Sequence, residues 1–422
     1  MTQAIRKSLN LPSELQGPVA IRVEVTDPLD DAGYGCGAWS GEGAVAGIAV
    51  HTFGWQGYVA LGHAKDDNVD SDVAREWLRD VVFVPGRDVQ MHGAQRDLAW
   101  LKAFGVDVKD NEAIGLIDTK LQGALIAGGQ GRVALDALAK ANGRSIISKN
   151  EERHLAEQAG YNRRAEIRSK MTHVRANSAA KVSLNEVALI AEIAQLQTQR
   201  IEELGMNAAF GREMRLLPVL VEMTWRGIPI DVRRAVEVES YAERERDREI
   251  TKIESATGKE LPVKSIENAD ACARALRGAG ILAPKEGPYA RVSNAWLENY
   301  GHDLTCALAR ARRMENARQY ASFTQRYAIA GHIHPTYYQL PDDKGGARTG
   351  RITTQLPNLL NIPSKDPEVG PLIRSIFKPL AGERWVSIDY SAQEPRIATH
   401  LAHRAGLAGA GEMVEKLRKQ PD

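Results

Sequence analysis

Cysteine is scarce in this chain. Three residues in 422, Cys36, Cys272 and Cys306, stand far apart and odd in number. Such spacing excludes a disulfide framework or a thiolate metal cluster, and reads as reduced thiols in a cytoplasmic protein. Long apolar runs are also missing: no stretch of ~18 apolar residues occurs, so no membrane-spanning helix is expected. Arg6–Lys7 is not followed by an apolar core, so no secretory leader is expected either. Nor is there an excess of one charge, with 55 Lys and Arg against 54 Asp and Glu, net +1. The chain as a whole is therefore not a strongly basic nucleic-acid binder, and any such affinity must come from local patches.

What is present is ordinary for a globular protein: 43% hydrophobic and 26% charged residues. The length suggests roughly two to four domains. Val19–Val25 and Ala44–His51 read as paired strands joined by a Gly-rich turn, and Val81–Val84 as a third strand. Helical patterns follow at Asp97–Ala103, Leu121–Ala127 and Leu135–Asn142. Alternating strands and helices indicate an α/β layer. Further on, Arg212–Arg226 carries apolar residues at helical spacing and Gly227 stops it. Asp231 is a natural N-cap for the charged helix that comes next. The arginines at 310, 312, 313 and 318 share a helix, where they read equally as phosphate contacts or as a solvated face.

The most informative stretch is Ser387–Arg396, SIDYSAQEPR, downstream of TGRITTQLPNLLNIP at Thr349–Pro363. Trp385 to Ile388 read as the end of a buried strand, which leaves Asp389 at its C-terminal end facing a cleft. A carboxylate there can hold magnesium, which takes hard oxygen ligands and few protein carboxylates. From Lys344 to Arg396, eight Lys and Arg outnumber five acids, a local excess that suits a phosphate backbone.

These two segments resemble the palm motifs of the family A DNA polymerases. Asp389, Tyr390, Ser391, Glu394 and Arg396 match the first catalytic motif; Thr349–Thr354 and Pro357–Pro363 match the one upstream. The resemblance implies that Asp389 binds the two catalytic Mg2+ ions, with the Tyr390 carbonyl as a further ligand. Glu394 is implied as the steric gate against the ribose 2′-OH, and Arg351 as a minor-groove contact near the primer end. Lys365 stands where the family often has Arg near the incoming triphosphate. Asn358 and Asn361 belong to the same DNA- and nucleotide-binding set, or serve their loop's backbone. Arg396 either joins that set or is structural. Leu360 and Pro395 depart from the family pattern, and Pro395 places the helix start at or after Glu394.

The N-terminal part resembles the family's 3′–5′ exonuclease domain, through MHGAQRDLAWL at Met91–Leu101, IDTKLQGALI at Ile117–Ile126 and RVALDALAKANG at Arg132–Gly143. Such a domain gathers four carboxylates around two metals roughly 3.5–4 Å apart. The first motif, Asp-x-Glu in the family, reads Arg22-Val23-Glu24 here. Asp97 keeps the second carboxylate, although Gly93 and Arg96 replace an Asn and an aromatic. The last motif aligns with Lys181 where an Asp belongs. Two cations among two acids neutralise the cluster without metal, so Glu24 and Asp97 are expected to pair with Arg22 and Lys181. A shifted acid, Asp27 or Glu186, is the alternative.

The expected fold is thus an α/β, ribonuclease H-like exonuclease domain, an α-helical thumb and the beginning of an α+β palm. The expected boundaries are a tail at 1–17, the inactive exonuclease-like domain at 18–204, the thumb region at 205–335 and a partial palm at 336–422. The fingers helix and the His-Asp-Glu hairpin of the family are not found after Arg396. The expectation is a DNA polymerase part, acting on primer-template DNA and dNTP in replication or repair, in the cytoplasm at the nucleoid. It is completed by a separate C-terminal chain, or else it is a non-catalytic DNA-binding remnant.

Overall fold

The computed structural model describes residues 4–5, 11–108, 114–144, 155, 157 and 170–419. It comprises two compact units, Met1–Phe377 and Lys378–Asp422.

The first unit starts with a six-stranded sheet of spatial order β1-β4-β3-β2-β5-β6. The strands are β1 (Ala4–Ile5), β2 (Val19–Thr26), β3 (Ala44–Thr52), β4 (Trp55–Ala60), β5 (Asp88–Met91) and β6 (Gly115–Asp118). The expected strand pair is present as β2 and β3, which run antiparallel with Ile21 opposite Val50. β3 returns antiparallel as β4, Thr52 facing Trp55 across Phe53-Gly54. Gly54 has φ +81°, the left-handed backbone that a tight two-residue hairpin requires. β5 and β6 add in parallel on the other side of β2. β1 pairs with β4, inside the segment expected to be a tail; residues 1–3 and 6–10 of that segment lie outside the described residues.

Val81–Val84 is not a strand. Val82 closes a π-helical turn at Leu78–Val82 that prolongs the helix Ser71–Trp77, and Leu78 and Val82 are buried in it. A four-residue apolar run cannot by itself distinguish a strand from a buried helical turn. The third strand is β4, whose buried run Gly57–Ala60 packs beside β3.

Side chains alternate across β2 with period two. Val19, Ile21, Val23 and Val25 enter the core formed with Ala94–Ala103 and Asn207–Arg226. Ala20 enters the opposite core, under the helix Ala176–Glu203, and Arg22 and Glu24 share its parity. That long helix buries Ala179, Ala180, Ser183, Val187 and Ile190, a stripe at helical spacing.

The helix Asn207–Arg226 ends at Gly227, φ +68°. A Cβ on that glycine would lie 2.6 Å from His334 Cε1, so the close approach also requires Gly. Asp231 caps Val232–Thr257 by accepting from Arg234 N at 3.0 Å. That helix packs along Asp303–Arg326, and Ile250, Ile253, Cys272, Leu276 and Leu308 fill a separate core with its neighbours. Thr336–Tyr338 and Thr353–Gln355 then form an antiparallel pair.

In the second unit, the helices Gln393–Arg404 and Ala410–Lys419 pack together. Pro395 sits in the first turn of its helix, which starts one residue before Glu394. First-turn N–H groups have no intrahelical acceptor, so proline costs little there.

Candidate functional site

Arg22 and Glu24, two residues apart on β2, face the same side of the sheet. The long helix crosses that side with Ser183 and Glu186. Arg22 Nε lies 3.3 Å from Glu24 Oε1 and 2.8 Å from Glu186 Oε2. Ser183 Oγ donates to Glu24 Oε1 at 2.8 Å. Asp97, from the helix Ala94–Ala103, accepts from Val23 N at 3.4 Å. Glu24, Asp97 and Glu186 are 2%, 4% and 2% exposed. Burial pushes the Asp97 carboxyl up to about 7, against the pull of Arg22 and Arg96.

Lys181, expected to pair with Glu24 or Asp97, is exposed rather than buried with them. It lies on the exposed side of the long helix, while Ser183 and Glu186 lie on the buried side. Residues three apart share a helix face and those two apart do not, so Ser183 and Glu186 come inward together and Lys181 turns outward. Glu186, one of the two alternative acids, joins the cluster by its ion pair with Arg22. Asp27, the other, is committed to the backbone: it accepts from Gly37 N at 3.0 Å and Asp30 N at 3.1 Å. Asp118, which sequence reading passed over, likewise accepts from Gly93, Ala94 and Lys120 N–H groups. Its signal was the Asp-Thr pair at the start of a helical pattern.

Two metal ions need several converging carboxylates with uncommitted lone pairs. A guanidinium on both Glu24 and Glu186 does not fit that requirement. Among the described residues, no group of three or more His, Cys, Asp and Glu is disposed to hold a metal. Arg22, Asp97 and Glu186 line a cleft of about 790 Å³, which Arg96, Trp39, Lys120 and Tyr338 also line.

The palm-motif residues fall on both units, Arg351 and Lys365 on the first and Asp389, Tyr390, Glu394 and Arg396 on the second. The expected buried strand before Asp389 is not formed. Trp385, Val386, Ile388 and Tyr390 are 52%, 80%, 89% and 76% exposed. A strand is held by ladder hydrogen bonds to a neighbour, and no described segment pairs with Arg384–Tyr390. Asp389 is open to solvent there, and Glu394 lies exposed in the first helical turn beyond it. An accessible carboxylate followed by a backbone carbonyl suits magnesium's preference for oxygen ligands and water, as a partial ligand set.

The remaining assignments divide. Arg351 and Lys365 are exposed. Asn358 Oδ1 accepts from Leu360 N at 3.1 Å, the local loop role. The Asn361 carbonyl accepts from the Tyr320 hydroxyl. Arg396 donates to the Ser391 and Leu417 carbonyls at 2.9 and 2.7 Å, the structural alternative. The helix arginines are also occupied within the protein. Arg310 bonds Glu368 and Glu249, Arg313 pairs with Glu298, and Arg318 pairs with Glu315. Arg312 is buried on the Ile266 and Val292 carbonyls.

Residues 239–415 match the family described as DNA polymerase family A. The DNA-directed DNA polymerase of Pseudomonas phage M6 is 27% identical over 96% of this chain and 62% of its own length. DNA polymerase DpoZ of Salmonella phage PMBT28 is 27% identical over 83% of this chain and 58% of its own. The chain thus spans about three fifths of these relatives. Among solved structures, the POL domain of Pol1 from M. smegmatis, in complex with DNA primer-template and dNTP, superposes with a TM-score of 0.67. It is 20% identical, over 92% of this chain and 59% of that one. This likeness establishes the fold. No helix among the described residues is long and apolar enough to cross a membrane. Residues 239–415 thus carry the match to DNA polymerase family A, and the chain is similar to phage DNA polymerases over most of its length.

Proposed function

We propose that this chain is the N-terminal part of a DNA-directed DNA polymerase that extends primer-template DNA with dNTPs. In this reading, the second metal-binding carboxylate and the triphosphate-gripping cations come from polymerase sequence outside these 422 residues. The observation that carries it is the Asp389 segment, whose motif lies within the matched region while its strand-forming residues stand uncovered. An apolar segment left in water this way is a template for an added strand. Asp389 and the Tyr390 carbonyl are this chain's ligands for magnesium, which when bound neutralises triphosphate charge and activates the primer hydroxyl. Glu394 excludes the ribose 2′-OH from the sugar position. Arg351 and Lys365 supply positive charge for DNA and triphosphate. The likeness to a polymerase fold bound to primer-template and dNTP supports these partners.

The N-terminal layer is, in the same proposal, an exonuclease-like domain without hydrolytic activity. The Arg22 bridge between Glu24 and Glu186 supports it. A fixed cation compensates the acids and removes their oxygens from metal binding. Single-strand degradation assays test this: no magnesium-dependent release of nucleotides is expected, and degradation abolished by Asp97→Ala would refute it.

A further inference from the structure

The antiparallel pair Thr336–Tyr338 and Thr353–Gln355 is joined by residues 339–352, a connection with no strand or helix of its own. A surface loop of that length is ordinarily mobile, yet this one carries Arg351 just before its second strand. It is tied down by the N-terminal layer. Asp342 Oδ2 lies 2.5 Å from Nζ of Lys120, which stands in the first turn of the helix Thr119–Ile126. Asp343 accepts from Arg132 Nε and from Val133 N, both at 3.2 Å, just beyond that helix. Gly129, φ +73°, lies against the same connection: a Cβ there would stand 3.0 Å from Pro341 Cγ and 3.1 Å from Arg348 Cγ.

Asp342 does two things at once. Its Oδ1 accepts from Lys344 N and Gly345 N, both at 2.7 Å, and so shapes the tip of the connection. Its Oδ2 takes the Lys120 ammonium, and the side chain is only 7% exposed. Removing one partner of so covered a pair leaves the other charge uncompensated, which makes it a firmer tie than a surface ion pair. The Arg132 pair is more open, with its guanidinium 70% exposed, and is the weaker tie. Both acids of the connection are thus turned onto cations of the N-terminal layer. Its cations Lys344, Arg348 and Arg351 are exposed.

We propose that Lys120 is a positioning residue for primer-template binding: through Asp342, with Arg132 and Asp343 in support, the N-terminal layer holds the 339–352 connection where Arg351 meets the duplex. This rests on the reading above that Arg351 supplies positive charge for DNA. A connection held in its binding geometry beforehand has less ordering entropy to lose when DNA arrives. A layer without hydrolytic activity then still contributes to synthesis, as a strut for the DNA-binding connection.

The test titrates the full chain into a fluorescein-labelled primer-template duplex at one fixed salt concentration and reads anisotropy. Asp342→Asn keeps Oδ1 for the two backbone N–H groups and sets an amide NH2 opposite the Lys120 ammonium. Charge alone predicts tighter DNA binding by this variant, since an acid is removed. Positioning predicts the opposite, binding weaker by about three- to tenfold with thermal unfolding unchanged. Lys120→Met is expected to weaken binding by a similar factor, and Lys120→Arg to restore it. Should Asp342→Asn unfold early, that Lys120 pair of variants carries the test. On an Arg351→Ala background, Asp342→Asn is expected to add no further loss, because residues acting through one another are not additive. A folded Asp342→Asn protein that binds as tightly as the parent or tighter overturns the proposal alone. So does a loss that persists undiminished beside Arg351→Ala, or a Lys120→Arg protein as weak as Lys120→Met. Absence of primer-template binding by the parent, or an Arg351→Ala protein that binds as the parent does, overturns it together with the reading of Arg351.

Discussion

Arg22 Nε stands 2.8 Å from Glu186 Oε2, joining the second strand of the sheet to the helix that covers it. Both side chains are largely buried, so the pair is more than a surface contact. Removing one partner of a buried ion pair costs about 3–5 kcal/mol, because the other charge is left uncompensated. Arg22→Asp is expected to lose that much stability in EDTA, since it sets a new acid beside Glu24, Glu186 and Asp97. Manganese should recover part of the loss, while leaving the melting temperature of the parent chain unchanged. Thermal unfolding with and without manganese checks both. A parent chain strongly stabilised by manganese would contradict the account.

Asp97 makes stability depend on pH. Its folded value of about 7 lies above the ordinary 3.8, so the folded state holds a proton that the unfolded state releases. That contribution is complete below pH ~4, is lost as pH rises towards 7, and is flat above. Asp97→Asn should therefore gain on the parent between pH 5 and 8, by an amount on the order of 1–4 kcal/mol. Burial also raises Asp27 and Asp118, so the difference between variant and parent is the quantity to measure, by denaturant unfolding at both pH values.

Much of this was legible in the sequence, where local pattern and final environment agree. β2, β3 and the Asp231 cap read correctly because alternation and capping are local properties. Lys181 did not, because motif spacing alone does not set which face of a helix meets the sheet. Glu186 has the same phase as Ser183, and only the packing of the long helix over Glu24 reveals that this phase is the inward one. The segment before Asp389 reads as a strand by composition and is none here, since pairing depends on partners that local sequence does not encode.

The arginines of the helix Asp303–Arg326 are expected to act on stability before DNA. Arg246 Nη1 lies 2.6 Å from Glu315 Oε2, both buried. Burial alone would raise the Glu315 carboxyl, yet bonds from Arg318, Arg246 and Gln319 hold it down at about 2. Glu315→Ala should cost about 3–5 kcal/mol. Arg313→Ala, which removes a more exposed pair with Glu298, should cost under about 1 kcal/mol. Urea unfolding of the two variants checks the order. Equal losses would argue against the buried network.

Glu394→Ala is expected to alter sugar selection rather than synthesis. In a reconstituted polymerase, ribonucleotide incorporation should rise by roughly ten- to a hundredfold, with dNTP incorporation changed far less. Single-nucleotide extension with paired rNTP and dNTP measures the ratio. An unchanged ratio would remove the gate from Glu394.

The most direct test is primer extension by the purified chain, alone and with the part of the Pseudomonas phage M6 polymerase that it does not cover. The account predicts no dNTP incorporation by the chain alone, magnesium-dependent extension by the mixture, and loss of that extension in Asp389→Ala. Extension by the chain alone, or full activity of the mixture carrying Asp389→Ala, would contradict it.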